Sequence, residues 1–129
     1  MIFCEILFDP IKLNAYELVN NNDNLTDCKL KTNCIFQSWK VNDSEKAFVE
    51  IIQILENTPR LRIIEKEKYY IHAIATSRIM NFIDDLEIKN LNKDNIFQVK
   101  SSSRIGIYDL GVNKRRVQTL RFRLIDIYS

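Results

Sequence analysis

Arg60-Leu61-Arg62-Ile63-Ile64-Glu65, then Lys66-Glu67-Lys68, then Tyr69-Tyr70-Ile71-His72-Ala73-Ile74-Ala75-Thr76-Ser77-Arg78 open the stretch that decides the fold. Two apolar-rich runs with a period of two flank a charged triplet, the pattern of two strands and a turn. Phe82, Leu86 and Ile88 alternate in a third run, and Asp84 falls on their face. Ile96 to Ser103 makes a fourth run, after the turn-rich Asn90 to Asn95. Short connections between successive strands favour an antiparallel meander.

Downstream, Ser101 to Arg116 holds the only two glycines of the chain, Gly106 and Gly111. Glycine tolerates positive φ and close backbone approach, so the pair predicts a sharp turn into a helix. That helix is expected from Leu110 to Ile127, with Val117, Leu120, Leu124 and Ile127 on one stripe. Followed back by fours, the stripe reaches Asn113 and then Asp109, which places two polar side chains towards the sheet. An aspartate here can cap the helix, and free amides at that end attract anions.

Upstream, Asn42-Asp43-Ser44-Glu45 reads as a capping box, Asn42 with Glu45 three residues on. Ala47, Phe48, Ile51, Ile52 and Leu55 follow at helical spacing, and Asn57-Thr58-Pro59 closes a helix expected over Ser44 to Asn57. Residues 1–39 read as a largely irregular segment, with Asn20 to Asn24 a polar surface loop. Residues 40–129 then run helix, four strands, helix, within a single domain over 1–129. The fold class is α+β: a two-layer sandwich, with a four-stranded or slightly larger antiparallel sheet and two helices on one face.

A chain of 129 residues suits one core, and two prolines with two glycines leave little room for linkers. No apolar run approaches a membrane span, and Met1-Ile2-Phe3-Cys4 lacks the basic flank and cleavage site of a secretory signal. A soluble, cytoplasmic protein is the resulting expectation. Net charge is +2, but from Lys100 onward seven basic residues face two acidic ones. This basic end complements an acidic remainder, or meets phosphates, an acidic protein or a membrane surface. The cysteines are Cys4, Cys28 and Cys34, with His72 the sole histidine. That set is too sparse for a zinc site, so reduced thiols and no metal are expected, with a Cys28–Cys34 disulfide left open under oxidising conditions.

Arg78, Asp84, Asp85, Arg104, Asp109, Asn113 and Arg116 form the polar set worth weighing. As a ligand site, the arginines would pair with carboxylate or phosphate while Asn113 supplies a donor and an acceptor. As scaffold, Arg78 and Arg104 would neutralise the aspartates in a buried network that holds helix to sheet. Asp84 and Asp85 are adjacent on a strand and point to opposite faces, which argues against a shared metal. His72, between Tyr70 and Ile74, reads as a packed residue rather than a general base. Ser101, Ser102 and Ser103 lack a nucleophile turn and a partner base, and no phosphate loop or dinucleotide fingerprint occurs.

Three blocks resemble those of a known family, the domain of unknown function 1499 (DUF1499). Cys28-Lys29-Leu30-Lys31-Thr32-Asn33-Cys34 resembles its cysteine block, with Thr32 where proline is usual. Tyr70-Ile71-His72-Ala73 to Ser77-Arg78, with Phe82-Ile83-Asp84-Asp85, resembles its central strand pair ending in a double aspartate. Ser101 to Arg116 resembles its most specific block, with Lys100 where arginine is usual. The likeness runs from about Cys28 to the C terminus and implies membership of the family, not an activity.

The reading that follows is a small non-catalytic binding or accessory domain. Its candidate site for an anion or small ligand is the sheet–helix junction at Arg78, Asp84, Arg104, Asp109, Asn113 and Arg116. The competing reading is an enzyme with Asp84 or Asp109 as general base and Arg104 as anion clamp. The partner is an unidentified small anion or a protein. Nucleic acid, through Lys114, Arg115, Arg121 and Arg123, ranks below both, and no cofactor is identified. Within this site Arg104 is expected to contact Asp109 across the Gly106 turn.

Overall fold

The computed structural model describes residues 24–124. Expectations placed on Met1 to Cys4, on Asn20 to Asp23 and on Ile127 lie outside them. Five strands form one antiparallel sheet: β1 Cys34–Lys40, β2 Leu61–Glu67, β3 Tyr70–Thr76, β4 Ile83–Leu91 and β5 Ile96–Ser103, in the order β1-β5-β4-β3-β2. Successive strands β2 to β5 make the expected meander, each hairpin antiparallel. The addition is β1, which lies in the segment read as irregular and pairs with β5, Trp39 opposite Phe97 and Cys34 opposite Ser102.

Two helices cover one face: α1 Ser44–Glu56 over β2 and β4, α2 Val112–Arg123 over β5 and β1. In β3 and β4 burial alternates strictly, with Ile71, Ala73 and Ala75 beside Asp84, Leu86 and Ile88 on the helix side. Phe48 of α1 meets Phe97 of β5 edge to face, centroids 5.7 Å apart, and Ile51, Leu55, Val117 and Leu120 complete the core. The sheet's outer face carries half-exposed Tyr70, His72, Ile74, Asp85 and Glu87. On that face Gln98 Oε1 accepts the Leu25 amide at 2.8 Å.

Local chemistry explains where these elements start and stop. The N-cap of α1 is Asp43 rather than Asn42, and its side chain accepts from the Lys46 amide at 3.2 Å. Ser44 is buried; its amide donates to Asn95 Oδ1 at 3.1 Å and its hydroxyl to Asn92 Oδ1 at 2.5 Å. These bonds fasten the start of α1 to the β4–β5 connection. A bulge between Ile63 and Glu65 interrupts the register of edge strand β2. The strand runs through to Glu67, so the first hairpin turns at Lys68 and Tyr69 instead of the charged triplet. α2 begins at Val112, later than expected, because Leu110 and Gly111 sit at φ 56° and 80°, outside helical space.

Candidate functional site

At the end of the sheet where β3 stops and β4 begins, the polar candidates divide between the two faces. The strand period does the dividing: Asp84 points to the helices, Asp85 to the outer face.

On the helix side, Arg116 Nη2 lies 2.9 Å from Asp84 Oδ2, and the carboxylate is nearly buried. Arg116 Nη1 donates to Ser101 Oγ at 3.0 Å and to Asn113 Oδ1 at 2.9 Å. Ser101 Oγ donates to the same Asn113 oxygen at 2.6 Å. Asn113 is wholly buried, and its Nδ2 reaches Asp109 Oδ2 at 2.7 Å and Ser103 Oγ at 2.8 Å. Asp109 in turn accepts the Gly111 and Asn113 amides at 2.8 and 3.2 Å. Burial pushes the Asp109 carboxyl up, but the bonds from the Asn113 side chain and the Gly111 and Asn113 amides outweigh it and hold it below its ordinary value. The stripe of Asn113, Val117, Leu120 and Leu124 faces the sheet as expected. The start of α2 is not an open anion site, because Asp109 already occupies its amides.

On the outer face, Arg104 grips Asp85 through Nε–Oδ2 at 2.8 Å and Nη2–Oδ1 at 2.9 Å, and His72 Nε2 lies 2.7 Å from Asp85 Oδ1. The Arg104 bond holds the Asp85 carboxyl below the usual range; burial opposes this and His72 adds to it. This corrects the expected Arg104–Asp109 contact. Arg104 leaves β5 just after Ser103, its amide bonded to Ile83 O at 3.1 Å, and its side chain turns to the face opposite Asp109. His72 is a half-exposed partner of Asp85 rather than a core residue. Arg78 is exposed in the β3–β4 loop and makes no ion pair among the described residues.

A second correction concerns the thiols: Cys28 and Cys34 form a disulfide, with Cα atoms 5.7 Å apart. The loop it closes clamps the segment ahead of α2. Thr32 O accepts the Asp109 amide at 3.0 Å, the Thr32 hydroxyl donates to Ile107 O, and Asn33 Nδ2 donates to Gly106 O at 2.7 Å. Asn33 O also accepts the Ser103 amide at 3.0 Å. Gly106 and Gly111 both lie at positive φ, as the sharp turn requires.

Between the C-terminal end of α1, the β2–β3 edge and one side of α2 lies a cleft of about 420 Å³. Its floor is apolar, from Leu55, Leu61, Leu86 and Leu120. Around that floor stand Arg60, Arg115, Arg116 and Arg123, and no carboxylate among the described residues lines it. Arg123 Nη1 reaches Thr58 Oγ1 at 3.3 Å and Arg115 Nη1 reaches Leu110 O at 3.1 Å, so both are held by neutral oxygens. Of the small-ligand candidates only Arg116 lines this cleft, joined by Arg115 and Arg123 from the set read for nucleic acid; Arg60 was missed because its position between a helix end and a strand start carries no periodic signal.

Comparison with known families matches residues 13–124 to the family described as protein of unknown function (DUF1499). No curated protein matches the chain. Because the match covers most of its length, the chain belongs to this family. No helix among the described residues is long and apolar enough to cross a membrane.

Proposed function

We propose that this member of the DUF1499 family is a non-catalytic binding domain whose ligand, a small anion with an apolar portion, sits in the arginine-rimmed cleft between α1 and α2. One observation carries the reading: four arginines and no carboxylate stand around a leucine floor in a concave site. Guanidinium groups pair with carboxylate or phosphate oxygens in a fixed fork, and the floor takes hydrocarbon. Arg60 is held at φ 60°, a region non-glycine residues seldom occupy, and such strain concentrates at ligand clamps. In this reading Arg116 is the contact among the small-ligand candidates, with Asp84, Asp109 and Asn113 holding it in place. Arg104 and Arg78 stand apart from the cleft.

The enzyme alternative draws little support from the carboxylates. Asp84 is taken by Arg116, Asp85 by Arg104 and His72, and Asp109 by the amides of α2. Asp85 and Asp109 titrate below ordinary carboxylates, which makes them weak bases at neutral pH. The disulfide favours a compartment that keeps thiols oxidised over the cytoplasmic placement expected from the sequence.

Thermal melts of the full chain with inorganic phosphate, decanoate, decyl phosphate and a short DNA duplex test the cleft. Decanoate and decyl phosphate are expected to raise Tm well beyond phosphate or duplex. The double variant Arg60→Gly, Arg123→Ala should lose that gain while its unliganded Tm stays within about 2 °C of the parent, since both residues are exposed and glycine suits the positive φ. An equal gain in the variant, or none with either amphiphile, overturns the proposal. A gain with the duplex alone favours the nucleic-acid reading.

A further inference from the structure

Three loops meet at the end of the sheet where β5 stops: residues 28–33, 77–82 and 104–111. Backbone bonds tie the third loop to the other two, Arg104 N to Ile83 O at the root of the second and Asp109 N to Thr32 O in the first, while Ser77 N to Phe82 O closes the second on itself. Apart from Val49, Ile64 and Phe122, every large hydrophobic side chain exposed among the described residues sits on these loops or at Val112, which directly follows the third. Ile79 is 84 % exposed, Ile107 71 % and Leu110 76 %, with Met80, Ile105 and Tyr108 beside them. Solvated loop tips are ordinarily polar, and a cluster of this kind marks an interaction surface. Leu110 adds an independent sign: a bulky residue at φ 56° is an outlier, here spent on holding an aliphatic side chain out in solvent.

The charge around the tips indicates what meets them. Lys29, Lys31, Arg78 and Lys114 are exposed there. The one exposed carboxylate at this end among the described residues is Asp27, 4.0 Å from Lys31. Asp84, Asp85 and Asp109 are engaged within the fold. A second copy of the chain is a poor occupant, because a two-fold contact would set these cations against their own counterparts. The tips stand on separate loops, and Ile79, Met80, Ile105, Ile107, Tyr108 and Leu110 contribute nothing to the arginine cleft. Aliphatic tips with one tyrosine, ringed by lysine and arginine, match the layers of an anionic bilayer: hydrocarbon within, phosphate at the surface.

We infer that this loop end docks on the surface of a membrane containing anionic lipid, inserting the Ile79–Met80 and Ile105–Leu110 tips while the surrounding cations meet lipid phosphates. The attachment is peripheral and does not depend on the cleft being a ligand site.

Flotation of the full chain with phosphatidylcholine vesicles, with and without phosphatidylglycerol, tests this. Binding to the anionic vesicles is expected to exceed binding to the neutral ones by about tenfold and to fall as salt rises. Ile79→Glu with Ile107→Glu should lower it by a further factor of about ten or more at unchanged Tm. Leu110→Gly, which suits the positive φ, should weaken binding without lowering Tm. Arg60→Gly with Arg123→Ala should leave vesicle binding intact, which separates this inference from the cleft. Absence of vesicle binding, or equal binding by the Ile79/Ile107 variant, overturns the inference. So does a dimer on size exclusion that the same variant dissolves, since the loops would then join two copies.

Discussion

Two arginines placed on the same polar network by sequence serve different purposes in the fold. Arg116 neutralises a nearly buried carboxylate and bonds to two further buried side chains, whereas Arg104 pairs with Asp85 in a half-exposed setting. Breaking a buried pair strands a charge, while an exposed pair is screened by solvent. Arg116→Met is therefore expected to cost about 3–5 kcal/mol in urea unfolding. Arg104→Ala should shift the midpoint only slightly. The reverse order of effects would mean that the helix-side network is not what holds α2 to the sheet. That Asp84 faces the core was legible from its alternation with Leu86 and Ile88. Which arginine it meets was not, because sequence distance from Gly106 says nothing about the face to which a side chain turns after a strand ends.

At the level of elements, the disulfide loop and β1 do work that composition concealed. The loop from Cys28 to Cys34 supplies the oxygens and amide that hold the turn before α2. Closing a loop this short removes denatured-chain entropy worth about 2 kcal/mol. Reduction, or Cys28→Ser with Cys34→Ser, is expected to lower unfolding free energy by about that amount. It should also speed amide hydrogen exchange in residues 104–113 more than in β3 or β4. Uniform acceleration would show that the clamp is not local. Cys34-Ile35-Phe36-Gln37-Ser38-Trp39-Lys40 carries no clean period of two, so only its pairing with β5, remote in sequence, makes it a strand. The helices were legible by their apolar stripes; α1 starts at Ser44 as read, with Asp43 rather than Asn42 as its cap, and the start of α2 is displaced by the left-handed Leu110 and Gly111.

Across the whole molecule, the titrating groups predict a stability profile with two limbs. Asp85 and Asp109 are held below their unfolded values, so the unfolded chain binds more protons as pH falls, and the stability present above about pH 4 is lost below it. Tyr70 is pushed above its ordinary value by burial and by its bond to Glu87 at 2.6 Å. Here the folded state keeps its proton longer, so stability present below about pH 10 declines above it. Urea midpoints against pH should show both declines, with Asp85→Asn flattening the acid limb and Tyr70→Phe the alkaline one; limbs unchanged in these variants would place the coupling elsewhere. The three sequence blocks that carry the family likeness, the cysteine loop, the Asp84-Asp85 strand start and the Ser101 to Arg116 turn, converge at one end of the sheet. Sequence by itself determined the α+β class, the meander from β2 to β5, the inward stripe of α2 and the turn at the two glycines, because periodicity and glycine φ are local properties of the chain. The fifth strand, the partners of Arg104 and Arg116, the disulfide and the arginine cleft were decided only by tertiary structure. Each depends on residues far apart in sequence being brought to one place, and the burial of the shared core, not any local preference, sets where they meet.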